Sequence, residues 1–155
     1  MNRRLLREFA FNRAVVHAEF VTVRTPMIVV QLKVEALKAV WNPLENPPWS
    51  WYHCPAWRLV PFTPQEIATA LNDPELEILG AESSEGWTDR SKADSQYCNR
   101  RRHLLRIAYL VKHKDEAPIR MEDVAKLKIY DGWHRLAAAI YRGDETIAAM
   151  KVSQS

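Results

Sequence analysis

Between residues 127 and 152 the hydrophobic period changes twice, and this narrows the possible folds more than any other feature of the sequence. Residues 127–130 (LKIY) are apolar with strand spacing, and Asp131-Gly132 follows them. From Trp133 onward the apolar positions return at Leu136, Ala137 and Ile140, across three consecutive alanines. Asp-Gly between apolar residues is also a hairpin signal, but a hairpin requires alternation after Gly132. Alanine favours helix and is depleted in strands, so residues 133–142 are expected to be helical, closed by Gly143 at the position after the last turn. Residues 145–152 (ETIAAMKV) supply a last strand. Strand, tight turn, helix and strand together predict an α/β domain.

The rest of the chain is more irregular. Residues 2–12 carry Leu5, Leu6 and Phe9 among arginines and suggest an N-terminal arm over 1–12. Residues 14–23 and 27–34 are rich in β-branched side chains and read as two strands that could be neighbours, separated by Pro26. Residues 41–61 hold Trp41, Trp49, Trp51 and Trp57 with five prolines, which predicts a long ordered loop. Thr63-Pro64-Gln65-Glu66 has the form of a capping box and starts a short helix that runs to about Leu71.

Charge then reverses along the chain. Residues 73–94 contain seven acidic side chains against Arg90 and Lys92 and read as a solvated loop. Residues 95–114 contain six basic side chains and no acid. Leu104, Ile107, Ala108 and Val111 form one helical stripe, with Arg102, Arg106, Tyr109 and His113 opposite, so an amphipathic helix with a basic outer face is expected. Residues 117–121 (APIRM) form another short strand.

Composition excludes several function classes. The only glycines are Gly80, Gly86, Gly132 and Gly143, too widely spaced for a phosphate-cradling or dinucleotide-binding loop. Cys54 and Cys98 permit at most one disulfide and lack paired metal-ligand spacing, so a reducing, cytoplasmic setting is expected. No apolar run reaches the ~18 residues of a membrane span, and the first residues lack the apolar segment of a secretory leader. One domain over 1–155 is expected, with strands and irregular loops over 13–94 and the informative core over 95–155.

The Asp131–Arg135 turn carries the functional argument. A helix starting at Trp133 has backbone N–H groups without partners in its first turn, and Gly132 lets a ligand approach the backbone. His134 and Arg135 stand in that turn. Cations there oppose the helix dipole at ~0.3–1 kcal/mol each, a local conflict that an anion relieves. The alternative is that Arg135 pairs with Asp131 or another acid while His134 caps or packs.

The run of residues 129–139, IYDGWHRLAAA, resembles the signature turn and helix of the ParB/sulfiredoxin superfamily. Gly132, Arg135 and Ala138 match the G-x-x-R-x-x-A pattern of its partition branch, and Gly132, His134 and Arg135 match the G-C-H-R of sulfiredoxins. Residues 118–121 (PIRM) are similar to the family's P-I-x-V strand, so the match spans about 118–152 and leaves the first ninety residues unaligned. The resemblance implies a small mixed sheet with packed helices and a nucleotide, ATP, ADP or CTP, with its phosphates at Gly132, Trp133, His134 and Arg135. Trp133 occupies the place of the sulfiredoxin cysteine, so sulfinic acid reduction is excluded. With no helix-turn-helix after the closing strand, the chain looks like the small stand-alone relatives of plasmids and phages.

Three functions follow as expectations. The first is nucleotide binding with phosphohydrolase activity, in which Asp131, His134 and Arg135 are the catalytic candidates and Asp131 could hold Mg²⁺ on the phosphates. The second is DNA binding or a metal-dependent nuclease, with Arg100, Arg101, Arg102 and Arg106 tracking the backbone unless the neighbouring acidic loop neutralises them. The third is a non-enzymatic interaction protein whose tryptophan-rich loop meets a partner, although such aromatics more often pack a loop onto its own domain. Asp115, Glu116, Glu122 and Asp123 flank the motif, and His17, His53, His103 and His113 sit in no supporting pattern.

Overall fold

The computed structural model describes residues 27–50, 60–84, 87 and 98–152. The arm over 1–12, the strand over 14–23, and Trp51 and Trp57 lie outside the described residues.

Among the described residues, four strands form one mixed sheet in the order β1 (Val29–Lys33), β4 (Thr146–Lys151), β2 (Ile119–Asp123), β3 (Lys128–Asp131). β4 pairs antiparallel with β1 and parallel with β2, and β2 and β3 form an antiparallel hairpin with register shifts. The parallel β2–β4 pair requires a crossover, which β3 and α4 (Trp133–Arg142) supply. The α/β architecture with a small mixed sheet is therefore as expected.

Alternation along the strands selects one face for the core. Val30 and Leu32 of β1, Ile147 and Ala149 of β4, and Ile119 and Met121 of β2 pack against Leu136, Ala139 and Ile140 of α4. Val34 and Leu37 of α1 (Val34–Val40) complete this cluster. Helix α1 was not expected, because the strand pattern over 27–34 runs into it without a break. Lys33 is still extended and offers no side-chain cap, while the Val34 amide donates to the Glu145 carbonyl at 3.0 Å.

The run of alanines places α4 in the middle of the molecule. Ala139 faces the sheet, whereas Ala137 joins Ile107, Ile67 and Phe62 on the other side. Small side chains on both sides let α3 (Arg100–Lys112) pack closely onto the back of α4. Helix α2 (Pro64–Ala70) and a turn of π-helical type over Leu76–Gly80 cover α3 in turn. The capping box of α2 is complete: the Glu66 amide donates to Thr63 Oγ1 at 3.2 Å, and the Thr63 amide donates to Glu66 Oε2 at 2.8 Å.

Two expectations need correction here. The acidic segment is not simply a solvated loop, since Leu76, Gly80 and Trp87 are buried. A Cβ on Gly80 would stand 2.7 Å from the Leu105 carbonyl oxygen, which shows how closely this segment lies on α3. Helix α3 also lacks a free basic outer face. Arg102, His103, Leu105 and Leu110 are buried with Ile107 and Ala108, because α3 is covered on two sides rather than one. No described helix is long and apolar enough to cross a membrane.

Candidate functional site

The Asp131–Arg135 turn lies at the amino end of α4, and Gly132 sets its shape. Gly132 has φ 106° and ψ 18°, a backbone that L side chains rarely adopt. A Cβ there would meet Ile119 Cγ2 at 2.8 Å and Ile119 Cβ at 2.9 Å. The close approach that requires glycine is made by the β2 side chain, and Gly132 also borders the cavity at this turn. No side chain caps α4.

Around this turn lies a cavity of about 50 Å³. Arg106 of α3, Arg135 of α4 and the segment Ser83-Ser84 border it together with Asp131, Gly132 and His134. Two guanidinium groups, two serines and an uncapped helix terminus make a lining suited to an oxyanion. A cavity this small is compatible with one phosphate-sized group. Arg106 donates through Nη1 to the carbonyls of Gly80 and Ala81 at 3.0 and 3.1 Å. Burial holds its guanidinium below the usual arginine value, against the pull of Asp115, and the charge of Arg135 acts in the same direction as burial. Arg135 donates to Asp115 Oδ2 at 3.4 Å, while its Nε is buried without a partner. The acidic pairing left open for Arg135 is therefore present in long form, and to Asp115 rather than Asp131.

Arg135 and Leu110 also border a second cavity of about 420 Å³, which Lys114, Asp115, Gln31 and Thr146 help to line. Arg142 stands at its edge, held by Asp144 at 2.6 Å and donating to the Leu110 carbonyl at 2.6 Å. The Arg142 hydrogen bond keeps the Asp144 carboxyl below its ordinary range.

Trp133 does not line the small cavity. Its ring lies 6.4 Å from that of Trp41 at 63°, and the two indoles share an apolar groove of about 410 Å³ with Leu37, Val40, Pro48 and Ile129. The first helical residue points to the α1 side while His134 points to α3, as 100° per residue dictates. The expected phosphate role of the Trp133 side chain is withdrawn.

His134 is buried, and its Nε2 lies 2.9 Å from Nδ1 of His103 on α3. The imidazoles are nearly coplanar, at 14°. Trp49 stacks on both, with centroids at 4.7 Å from His103 and 4.1 Å from His134. Trp87 meets both rings edge-on, 4.8 and 5.9 Å away. Burial first, then the charges of His103, Arg106 and Arg135, push the His134 pKa well below its ordinary value, so the ring is neutral at pH 7. Trp49 thus packs its loop onto this domain. His103, Trp87, Ser83 and Ser84 were not anticipated. The available signal was that His103, Arg106 and Leu110 recur on α3 at spacings of three and four, opposite His134 and Arg135.

The arginines of α3 are engaged within the chain. Arg100 forks onto Glu66 at 2.7 and 3.0 Å and lies 4.4 Å over the Phe62 ring. Arg101 reaches Asp73 at 2.9 Å and Glu75 at 2.7 Å, and Arg102 pairs with Glu82. Acidic side chains of residues 66–82 neutralise this face, as the charge reversal in the sequence allowed. Among the described residues, Asp131 is the only carboxylate bordering the small cavity, and no group of three or more metal-ligating side chains occurs. A single carboxylate suits Mg²⁺ carried in on phosphates, with most ligands from phosphate and water. Cys98, ahead of α3, is disulfide-bonded. Comparison with protein-family models, curated proteins and solved structures finds no match to this chain.

Proposed function

We propose that this protein binds the phosphate of a nucleotide, ATP, ADP or CTP, at the amino end of α4. The observation that carries the reading is the convergence of Arg106 and Arg135 on one small cavity at an uncapped helix terminus, with Arg135 Nε buried and unpartnered. Two half-buried like charges repel, and an anion between them relieves that cost. One phosphate fills the small cavity, and the nucleoside lies in the larger one across Arg135. Asp115 is displaced from its long contact as phosphate takes its place. Phosphohydrolase activity is part of the proposal, with Asp131 as the contact for Mg²⁺ and His134 for proton transfer. The ParB/sulfiredoxin resemblance, carried by Gly132, His134 and Arg135, agrees with this reading. The cytoplasmic setting expected from the cysteine count has the Cys98 disulfide against it.

Calorimetric titration with each nucleotide, with and without Mg²⁺, and assay of released phosphate test the proposal. Saturable binding that disappears in Arg135→Ala supports it. Absence of binding by all three nucleotides refutes it.

A second reading, a protein-interaction module, has its own observation in the apolar groove between Trp41 and Trp133. DNA binding or nuclease action through Arg100, Arg101 and Arg102 requires phosphates to displace Glu66, Asp73, Glu75 and Glu82, which makes it the weaker alternative.

A further inference from the structure

The His103–His134 contact is more than core packing, because its two nitrogens share one proton. With His103 Nδ1 and His134 Nε2 at 2.9 Å, one ring donates and the other accepts. The choice fixes what His134 offers on its remaining nitrogen, Nδ1. If His134 donates from Nε2, Nδ1 is a bare acceptor; if it accepts there, a neutral His134 carries N–H at Nδ1. His134 also borders the cavity between Arg106 and Arg135. The charged groups facing the ring are Arg106 from α3, Arg135 from its own helix and Asp131 from β3, with His103 behind it. Trp49, stacked on both rings, and Trp87, edge-on to both, hold the pair coplanar and prevent His134 from swinging away.

We propose that His103 is the positioning residue of this site: its Nδ1–H donates to His134 Nε2, leaving the His134 proton on Nδ1 as a donor to a phosphate oxygen held by Arg106 and Arg135. This rests on the anion reading above, since an acceptor facing an anion is repulsive and a donor is attractive. A neutral imidazole acts on an anion only through its N–H, so the partner that selects the tautomer governs the ring's contribution.

The tautomer is read directly from long-range ¹H–¹⁵N imidazole spectra of the full chain at pH 7, with inorganic phosphate as the probe ligand. The expected wild-type result is His134 protonated at Nδ1 and bare at Nε2, before any phosphate is added. His103→Phe keeps a ring under Trp49 but removes the donor, so His134 shifts toward the Nε2–H form and the phosphate dissociation constant rises about tenfold. His103→Asn supplies an amide N–H and restores both readouts. Wild-type His134 protonated at Nε2, or a tautomer unmoved in His103→Phe, overturns the proposal. If His103→Phe does not fold, the wild-type and His103→Asn spectra decide the question. A locked Nδ1–H tautomer with no phosphate binding refutes the anion reading and the ligand half of this proposal, and leaves the positioning half standing.

Discussion

Replacing Gly132 by alanine should destabilise the folded chain with no ligand present. Two costs add. The backbone at φ 106° is left-handed, at ~1–2 kcal/mol for an L-residue. The new methyl would stand 2.8 Å from Ile119 Cγ2 and 3.0 Å from Ile119 Cα, and overpacking of a filled core costs ~1–3 kcal/mol. The expected loss is about 2–5 kcal/mol, a large share of the stability of a domain this size. Gly143→Ala is the internal control. Its φ of 71° is also left-handed, but no atom lies within 4 Å of the added methyl, so only the backbone cost of ~1–2 kcal/mol applies. Urea unfolding followed by tryptophan fluorescence gives both values, and equal slopes on denaturant confirm that the same surface is exposed. If Gly132→Ala costs no more than Gly143→Ala, the contact with Ile119 does not set the turn.

Two further outcomes follow from the packing and charge of the domain. The Arg100 hydrogen bond holds Glu66 at about 2 against an ordinary 4.5, outweighing the opposing effect of burial. A depressed carboxyl stabilises the fold above pH ~4.5 and loses that contribution as pH falls toward 2. The unscreened equivalent is ~3 kcal/mol, and with 37% of the Glu66 side chain exposed we expect about 1–2 kcal/mol. Glu66→Gln keeps the helix cap, so acid titration of stability should become shallower by about one proton over that range, while Asp73, Glu77 and Asp144, also lowered, preserve the remaining slope. An unchanged slope refutes the pair's contribution. Trp133→Ala should leave nucleotide affinity within about twofold, because the indole faces Trp41 and not the cavity; loss of binding in this variant restores it to the phosphate site.

Several local structures are legible in the sequence because they depend on short-range terms. Thr63 to Glu66 forms the capping box its side chains allow, Gly143 ends α4 in the left-handed conformation, and the strand–turn–helix–strand order around Asp131 holds. What failed depends on what each face meets. Helix α3 reads as amphipathic, yet Arg102 is buried beside Glu82 and Trp87, and His103 against His134, Trp49 and Trp87. No periodicity in residues 100–112 reports that cover, although the adjacent acidic run was its electrostatic sign. Helix α1 was hidden because Val34 belongs to both the strand pattern and the helix. At the site, adjacency within the motif suggested that Gly132 to Arg135 face one ligand together. A helix turns 100° per residue, so Trp133 and His134 go to different sides, and the partners of His134 come from α3 and from Trp49 and Trp87, far away in the chain.

An anion held between Arg106 and Arg135 is the premise of the proposed function, and ligand-dependent melting of the wild type beside Arg135→Ala tests for it. At 100 times its dissociation constant a bound nucleotide adds ~2.7 kcal/mol, which for a chain of this length raises Tm by about 5–10 °C. ATP, ADP or CTP should produce that rise in the wild type and none in Arg135→Ala. No rise with any of the three, or the same rise in both proteins, contradicts the account.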